Sequence, residues 1–343
     1  MKAETNGKHK ILGVILGIAL VGALFGISSC GEQAEPEQEE KTTTEQPKNG
    51  TETKDDSSKP YTFTDDLGNE VTVESHDRVI ACMGSFAEVW TLSGGELIAV
   101  SDDALDGYAD TAKGLPTIGD FTAPNLEEII ALEPDFVIMT GASTGRDGSA
   151  SQVELKESLE ASGITVAYFT VTIFDDYLRM LEVCCDINDN ADLFEKYGTD
   201  LKDEIDSIIA KADEKNDASP NVLLMTTYSG GTRVQNSETM TGAMLADLGA
   251  ANIADENKSL LREFSLESVI EMNPQYILVV PMGNDDAAAL KNLEEATAAN
   301  PAWEGLDAVK NGKYVILDKE LFQYKPNERW AESYQTLYDI LYA

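Results

Sequence analysis

Side chains that commonly perform catalysis or hold metal ions are scarce in this 343-residue chain. Its only two histidines are His9, near the N-terminus, and His76, which precedes an apolar segment. Neither histidine stands at a spacing typical of a Ser-His-Asp triad or a zinc site. The sequence therefore predicts no catalytic residue, no resident metal and no cofactor, and it favours a binding protein over an enzyme.

The cysteines predict thiols rather than a metal site. Beyond Cys30 the chain has Cys82, Cys184 and Cys185, an odd number without C-x-x-C spacing. Adjacent cysteines seldom bond to each other because the ring that would form is strained. We expect buried thiols, with a bridge from Cys82 to one of the adjacent pair as the alternative.

Two short loops have the composition of a binding site. Residues 141–148 and 228–234 combine glycines, hydroxyl side chains and one arginine each, Arg146 and Arg233. In an acidic chain these cations would bind an anionic ligand group if they lie at a cleft, and the alternative is an ion pair on the surface. Neither loop matches a P-loop or G-x-G-x-x-G, so nucleotide binding is not supported.

Methionine and aromatic side chains follow several predicted strands. Met83, Met139 and Met225 stand at strand ends, and Met282 comes one residue past another. Methionine suits the wall of a pocket for a bulky ligand because it is adaptable and polarizable, although it also fills cores. Phe322 and Tyr324 follow a further strand, with core packing as their alternative. The expected ligand-binding residues are Met83, Phe86, Phe121, Arg146, Tyr228, Arg233, Met282, Phe322 and Tyr324.

Charge limits the partners of the chain. Lys and Arg total 25 against 62 Asp and Glu, which gives a formal net charge of −37. Such a surface repels polyanions, so nucleic acid is excluded as a partner. It also disfavours docking on an anionic bilayer unless a covalent anchor holds the protein there.

The N-terminus has the order of a secretory signal, with basic residues before an apolar run from Ile11 to Ile27. The next small residues end at Cys30. Ile27-Ser28-Ser29-Cys30 resembles the lipobox of bacterial lipoprotein precursors. The resemblance implies a lipoprotein signal peptide over residues 1–29 and acylation of Cys30, with an uncleaved membrane anchor as the alternative. Residues 30–59 are polar and low in complexity, which predicts a disordered acidic tether.

The elements that must position the candidate residues form two halves. Asn125–Ile138 aligns with Ser265–Leu278 at a constant offset of 140 residues, with four identities and four conservative pairs. Each copy predicts a capped helix, a proline stop and a buried strand. Two copies in one register indicate a duplicated α/β lobe.

A helix connects the halves. Apolar residues recur every three or four positions over residues 189–216, which predicts one long helix. We therefore expect an N-terminal lobe over residues 60–188 and a C-terminal lobe over residues 217–343. The predicted fold is α/β, with a central, mainly parallel sheet flanked by helices in each lobe. Ligands of such sheets bind beyond the carboxyl ends of the strands.

These features together resemble one family. The lipobox at Cys30, Arg78-Val-Ile, Ile118-Gly-Asp and the stretch Asn125–Ile138 are similar to those of the substrate-binding lipoproteins of ABC importers for ferric siderophores, haem and cobalamin. The second copy departs from the pattern with Gln275 after its proline. The resemblance implies a bulky metal chelate or tetrapyrrole bound between the lobes and delivered to a permease dimer with its ATPase. It also implies a location on the outer face of the cytoplasmic membrane.

The resemblance further implies that Glu127 and Glu267, one per lobe, dock into arginine pockets of the two permease subunits. The alternative is that each carboxylate is only stabilised by the dipole of its own helix and has no partner. An iron–siderophore chelate is the expected ligand, and a corrinoid or haem is the alternative; haem would need Met or Tyr as its axial ligand. A chelatase-like enzyme and a surface adhesin are the alternatives from other classes.

Overall fold

The computed structural model describes residues 59–143, 151–215, 219–262, 264–283, 285–298 and 301–343. Arg146, Cys30 and the predicted signal peptide lie outside these ranges. The strands are β1 (Tyr61–Thr64), β2 (Glu70–Val73), β3 (Val79–Ala81), β4 (Ala99–Val100), β5 (Phe136–Thr140), β6 (Thr165–Phe169), β7 (Asn221–Tyr228), β8 (Gly231–Gln235), β9 (Ala251–Asn252), β10 (Tyr276–Pro281) and β11 (Tyr314–Ile316).

Helices connect and flank these strands. They are α1 (Gly84–Leu92), α2 (Ala104–Gly107), α3 (Ala109–Ala112), α4 (Leu126–Ala131), α5 (Lys156–Ala161), α6 (Phe174–Ile187), α7 (Ala191–Phe194), α8 (Asp200–Lys215), α9 (Met240–Asp247), α10 (Ile253–Glu256), α11 (Leu266–Met272), α12 (Asp286–Ala298), α13 (Asp307–Lys310), α14 (Lys319–Phe322) and α15 (Trp330–Tyr342).

The N-terminal lobe contains a four-stranded parallel sheet in the order β4-β3-β5-β6. Every residue of β3 and β5 is buried. Such continuous apolar strands are expected where helices cover both faces of a parallel sheet. The predicted mainly parallel sheet of this lobe is confirmed.

The N-terminal lobe also contains a hairpin, the antiparallel pair β1 and β2. Asp65 closes its turn, because one carboxylate oxygen accepts from the backbone N–H groups of Leu67 and Asn69 at 3.0 and 2.8 Å. The backbone N–H of Asp66 donates to the carbonyl of Tyr168 at 3.0 Å. This contact holds the turn against β6.

The C-terminal lobe contains a five-stranded sheet in the order β11-β10-β7-β8, with β9 pairing the first residues of β7. β8 is antiparallel to β7, with Tyr228 opposite Gly231 and Thr226 opposite Arg233. The expected loop 228–234 is therefore a hairpin. Gly231 has a φ of +152°, in the range that favours glycine, so the chain can turn back at once.

The duplicated segment folds as predicted. Asn125 caps α4 by accepting from two backbone N–H groups at 3.1 and 3.3 Å, and Ser265 caps α11 by accepting from one at 3.2 Å. After the helices, Glu133 and Asn273 adopt left-handed φ values of 47° and 44°. Each helix then leads into a central strand, β5 or β10, of its own lobe.

The predicted connecting helix is present but not uniform. Helical structure begins at Ala191 instead of residue 189 and includes a π-helical segment, Glu195–Thr199, between α7 and α8. Gly198 lies in this segment, where a Cβ would stand 3.0 Å from the Phe194 ring. The close approach explains why a glycine interrupts the apolar pattern. α8 packs along α15.

Three apolar clusters form the core. One cluster lies on one face of the C-terminal sheet, and another lies on one face of the N-terminal sheet. The largest cluster joins residues of both lobes through α6, α8 and α15. Cys82, Cys184 and Cys185 are free and buried, which confirms the expected thiols, and the alternative bridge is absent from the described residues. Met139 and Met225 are fully buried in the core, so the core alternative applies to these two methionines.

Candidate functional site

A cavity of about 510 Å³ opens at the carboxyl ends of β7 and β10. This is the edge where a parallel sheet is expected to bind ligands. Its apolar lining residues are Leu224, Met240, Val280, Met282 and Phe322, and its polar ones are Thr226, Tyr228, Arg233, Gln235, Thr239, Thr241, Gln323 and Lys325. The volume lies within the roughly 300–1,000 Å³ typical of ligand pockets.

The charge of this cavity is opposite to that of the chain. Arg233 and Lys325 line it, and no Asp or Glu is among its described lining residues. Acidic residues outnumber basic ones by 62 to 25 in the whole sequence. The lining therefore favours a ligand that carries negative charge.

Tyr228 and Arg233 are brought together by the hairpin of β7 and β8. The Arg233 guanidinium lies 5.6 Å from the centre of the Tyr228 ring, within the range of a cation–π contact. Arg233 is exposed and makes no ion pair with a described residue. The surface ion pair that we considered for Arg233 is thus not formed in the described part of the chain.

Met282 and Phe322 also line the cavity, whereas Tyr324 does not. Tyr324 packs against the N-terminal lobe, where a Cβ at Gly107 would lie 3.1 Å from its ring and the ring of Tyr108 is 6.1 Å away. The cavity consequently borders the joint between the lobes, because the segment 322–325 contributes to both.

The described candidates of the N-terminal lobe, Met83, Phe86 and Phe121, are not among the described lining residues of this cavity. Phe86 is only 1% exposed and packs edge-on against Phe169. Its expected ligand contact is therefore corrected to core packing, because the turn of α1 directs it inward. Met83 and Phe121 are partly buried; the carbonyl of Phe121 accepts from the Gln152 amide at 2.7 Å.

Lys325 is the charged residue among the several described lining residues that sequence reasoning missed. The Tyr108 hydroxyl accepts from the backbone N–H of Lys325 at 2.9 Å and donates to its carbonyl at 3.0 Å. Burial lowers the pKa of the Lys325 ammonium to about 8, and the charge of Asp176 opposes this shift. The sequence did offer one signal for Lys325. It comes just after Phe322 and Tyr324, which were expected at a strand end.

A second contact joins the lobes beside Lys325. The Asn327 side-chain amide donates to the carbonyl of Ser85 at 3.1 Å and to the carboxylate of Glu88 at 2.6 Å. Burial, followed by the charge of Glu328, raises the pKa of Glu88 to about 7. One carboxylate oxygen of Glu328 is buried without a hydrogen-bond partner. The joint thus holds two carboxyl groups in a poorly solvated place.

Glu127 and Glu267 lie in the first turns of α4 and α11 and are exposed. Neither carboxylate forms an ion pair with a described residue. The two side chains therefore present exposed negative charge at equivalent positions of the two lobes, with Glu267 accepting from the Ser265 hydroxyl at 3.5 Å.

The described ranges contain neither a metal-binding cluster nor a membrane-spanning helix. No group of three or more His, Cys, Asp or Glu side chains there is arranged to hold a metal ion. Within the same ranges, every helix is too short or too polar to cross a bilayer.

Comparison with known proteins gives a consistent result. The family model described as periplasmic binding protein matches residues 79–321. A vitamin B12-binding protein of Pectobacterium atrosepticum is 27% identical over 189 residues, 54% of this chain and 64% of the relative. The high-affinity haem uptake protein IsdE of Staphylococcus aureus is 24% identical over 233 residues, 67% of this chain and 75% of the relative. The chain thus spans less than two thirds of the first of these relatives.

Solved structures share the fold. SirA of Staphylococcus aureus in complex with staphyloferrin B superimposes with a TM-score of 0.63 at 22% identity, covering 82% of this chain and 97% of SirA. The haem-binding protein RhuT of Roseiflexus sp. RS-1 gives a TM-score of 0.64 at 20% identity, covering 78% and 98% of the two chains.

Proposed function

Because the chain belongs to the periplasmic binding protein family, we propose that it captures an iron–siderophore-type chelate outside the cytoplasm and delivers it to an ABC permease dimer with its ATPase. One observation carries this proposal, namely the cavity at the carboxyl ends of β7 and β10 with two cations and no carboxylate among its described lining residues. Ferric siderophores of the carboxylate class are bulky and anionic, so they match both properties.

The second candidate ligand is a tetrapyrrole. The B12-binding and haem uptake relatives support it. Haem would take an axial ligand from Met240, Met282 or Tyr228, because the cavity has no histidine among its described residues. His76 packs edge-on against Trp90 and does not line the cavity.

We propose a binding role rather than an enzymatic one. The described side chains that line the cavity include no His, Cys, Asp or Glu, so its hydroxyl groups have no imidazole, thiolate or carboxylate beside them to act as a base. The Thr226 hydroxyl accepts from the Gln235 amide at 2.9 Å. A chelatase-like enzyme would need metal-ligating side chains beside its substrate.

Permease docking is assigned to Glu127 and Glu267. Their exposure, their lack of ion pairs with described residues and their equivalent places in the two lobes support the assignment. A partner with two symmetry-related subunits would find one carboxylate on each lobe. Lipid anchoring at Cys30, on the outer face of the cytoplasmic membrane, completes the proposal and keeps the binding protein close to this permease.

Equilibrium dialysis tests the proposed function. Purified protein is equilibrated with ferric staphyloferrin B, ferrioxamine B, haem and cyanocobalamin at one salt concentration and pH. We expect a ferric siderophore to bind with a dissociation constant below about 1 µM, which corresponds to about −8 kcal/mol. Preferred binding of haem or cyanocobalamin would favour the second candidate, and binding of none would contradict the proposal.

A further inference from the structure

We infer that Lys325, together with Arg233, selects ligands that carry an anionic oxygen group such as a free carboxylate. The inference rests on the proposed function and assigns a specificity role to a residue at the lobe joint. It predicts discrimination against chelates of similar bulk that are neutral or cationic.

The ammonium of Lys325 lacks a partner in the described part of the chain. Two other lysines of the C-terminal lobe have partners. Lys319 contacts the Asp286 carboxylate at 3.0 Å, and Lys313 donates to the Tyr276 hydroxyl at 2.7 Å. For Lys325, only the backbone groups are bonded. The cavity therefore contains a cation that is free to bind a ligand oxygen.

No described carboxylate forms an ion pair with the Lys325 ammonium. Asp176 is the carboxylate whose charge acts on Lys325. Its oxygens already accept from the backbone N–H groups of Thr172 and Ile173 at 2.9 and 3.1 Å and from the Arg179 guanidinium at 3.1 Å. A partly desolvated ammonium without a counter-ion is unfavourable, so an anionic ligand gains more from this position than from an exposed lysine.

The backbone of Lys325 is positioned before the ligand arrives. The Tyr108 hydroxyl bonds both of its polar groups, and the following residues are Pro326 and the buried Asn327. A backbone held in this way loses little entropy on binding. Arg233 supplies the second cation of the cavity from β8, above the Tyr228 ring.

Protonation provides an independent signature. Burial lowers the pKa of Lys325 to about 8, and a bound carboxylate would raise it again. Asp176 on α6 is the charged group that acts on Lys325, Tyr108 beside α3 contacts its backbone, and Arg233 on β8 lines the same cavity. The pKa of Tyr108 is well above its ordinary value because of burial, and arginine stays charged. Lys325 is therefore the group expected to lose charge above about pH 8.

The test compares three variants with the wild type. Lys325→Met removes the charge, Lys325→Arg keeps a charge that does not titrate, and Lys319→Met is the matched control on a paired lysine. Dissociation constants are measured by calorimetry for ferric staphyloferrin B, haem, cyanocobalamin and ferrioxamine B. The first two carry free carboxylates, cyanocobalamin is neutral, and ferrioxamine B is cationic.

We expect the wild type to prefer an anionic probe. Lys325→Met should weaken the binding of that probe about tenfold or more, whereas Lys319→Met should bind it as the wild type does. The wild-type affinity should fall from about pH 7 to about pH 9, whereas the Lys325→Arg profile should be flat. If the wild type binds a probe but Lys325→Met leaves anionic binding unchanged, or if the wild type prefers the cationic ferrioxamine B, the inference is wrong while the proposed function stands. If the wild type prefers cyanocobalamin, the inference is wrong and the second candidate function is favoured. If the wild type binds no probe, the proposed function falls, and the inference falls with it.

Discussion

The Tyr108 hydroxyl of the N-terminal lobe bonds both backbone polar groups of Lys325 in the C-terminal lobe, although 217 positions separate the two residues. It accepts from the N–H at 2.9 Å and donates to the carbonyl at 3.0 Å. One phenol thereby joins a segment that follows β4 to the wall of the cavity. The contact links the stability of the lobe joint to the shape of the binding site.

Tyr108→Phe should lower the free energy of unfolding by about 1–3 kcal/mol, because it leaves two backbone groups of Lys325 without partners. Urea unfolding followed by circular dichroism measures this change. Tyr61→Phe is the control, since its hydroxyl contacts Asp186 at 2.7 Å in an exposed place. Equal effects of both substitutions would show that the Tyr108 contact adds nothing special to the joint.

Glu88 should make the stability of the protein depend on pH. Burial and Glu328 raise the pKa of Glu88 from 4.5 to about 7, so the native state holds a proton that the unfolded chain has already released. The contribution of Glu88 to the free energy of unfolding is fully present below about pH 4.5 and is lost as the pH rises through about 7. Ionisation of Glu88 then opposes folding.

Glu88→Gln tests this dependence, because glutamine keeps an acceptor for the Asn327 amide but cannot ionise. The free energy of unfolding of the variant, relative to that of the wild type, should increase by about 3 kcal/mol from pH 4.5 to pH 8. Urea unfolding at both pH values measures this difference. Glu96→Gln alters an exposed carboxylate and should follow the wild type. A Glu88→Gln curve parallel to that of the wild type would contradict the burial argument.

Reversing the charge of Glu127 and Glu267 to Lys should abolish uptake of the ligand in cells while the dissociation constant and melting temperature stay nearly unchanged. The reason is that both side chains are exposed and make no ion pair with a described residue. Glu128→Lys with Glu271→Lys is the matched control, since these exposed residues lie on the same two helices. Loss of ligand affinity would place Glu127 or Glu267 in the binding site, and unchanged uptake would leave them as simple helix-terminal charges.

Ligand binding should close the lobes only slightly, by about 10° or less, because bending a helix breaks backbone hydrogen bonds that a loop hinge lacks. The nearly continuous helical segment from Ala191 to Lys215 and the Tyr108 and Asn327 contacts all resist a large movement. Small-angle scattering with and without ligand measures the closure. A large compaction on binding would refute the rigid connection.

The sequence predicted the lobes well because their signals are local. Asn125 and Ser265 cap their helices in the same register, and apolar runs such as β5 and β10 identify buried strands without knowledge of the fold. The antiparallel β8 was missed, because a two-residue turn with glycine resembles an ordinary loop.

The site was predicted less completely because it depends on contacts between distant residues. Phe86 and Met83 are three positions apart near one strand end, but the rotation of α1 buries Phe86 against Phe169. Lys325 gained its role only through Tyr108 and the cavity, neither of which is visible in local spacing. Tyr228 and Arg233 were candidates because both stand in one short segment, residues 228–234, whose composition suits a binding loop.

The central claim is that the cavity at the carboxyl ends of β7 and β10 holds the ligand. Calorimetric titration of the ferric chelate that binds most tightly, with the wild type, Tyr228→Ala and Arg233→Ala, tests it most directly. We predict that each substitution weakens binding by about tenfold or more, because Tyr228 supplies contact area and Arg233 supplies charge in the cavity. If both variants bind the chelate as tightly as the wild type, the cavity is not the binding site.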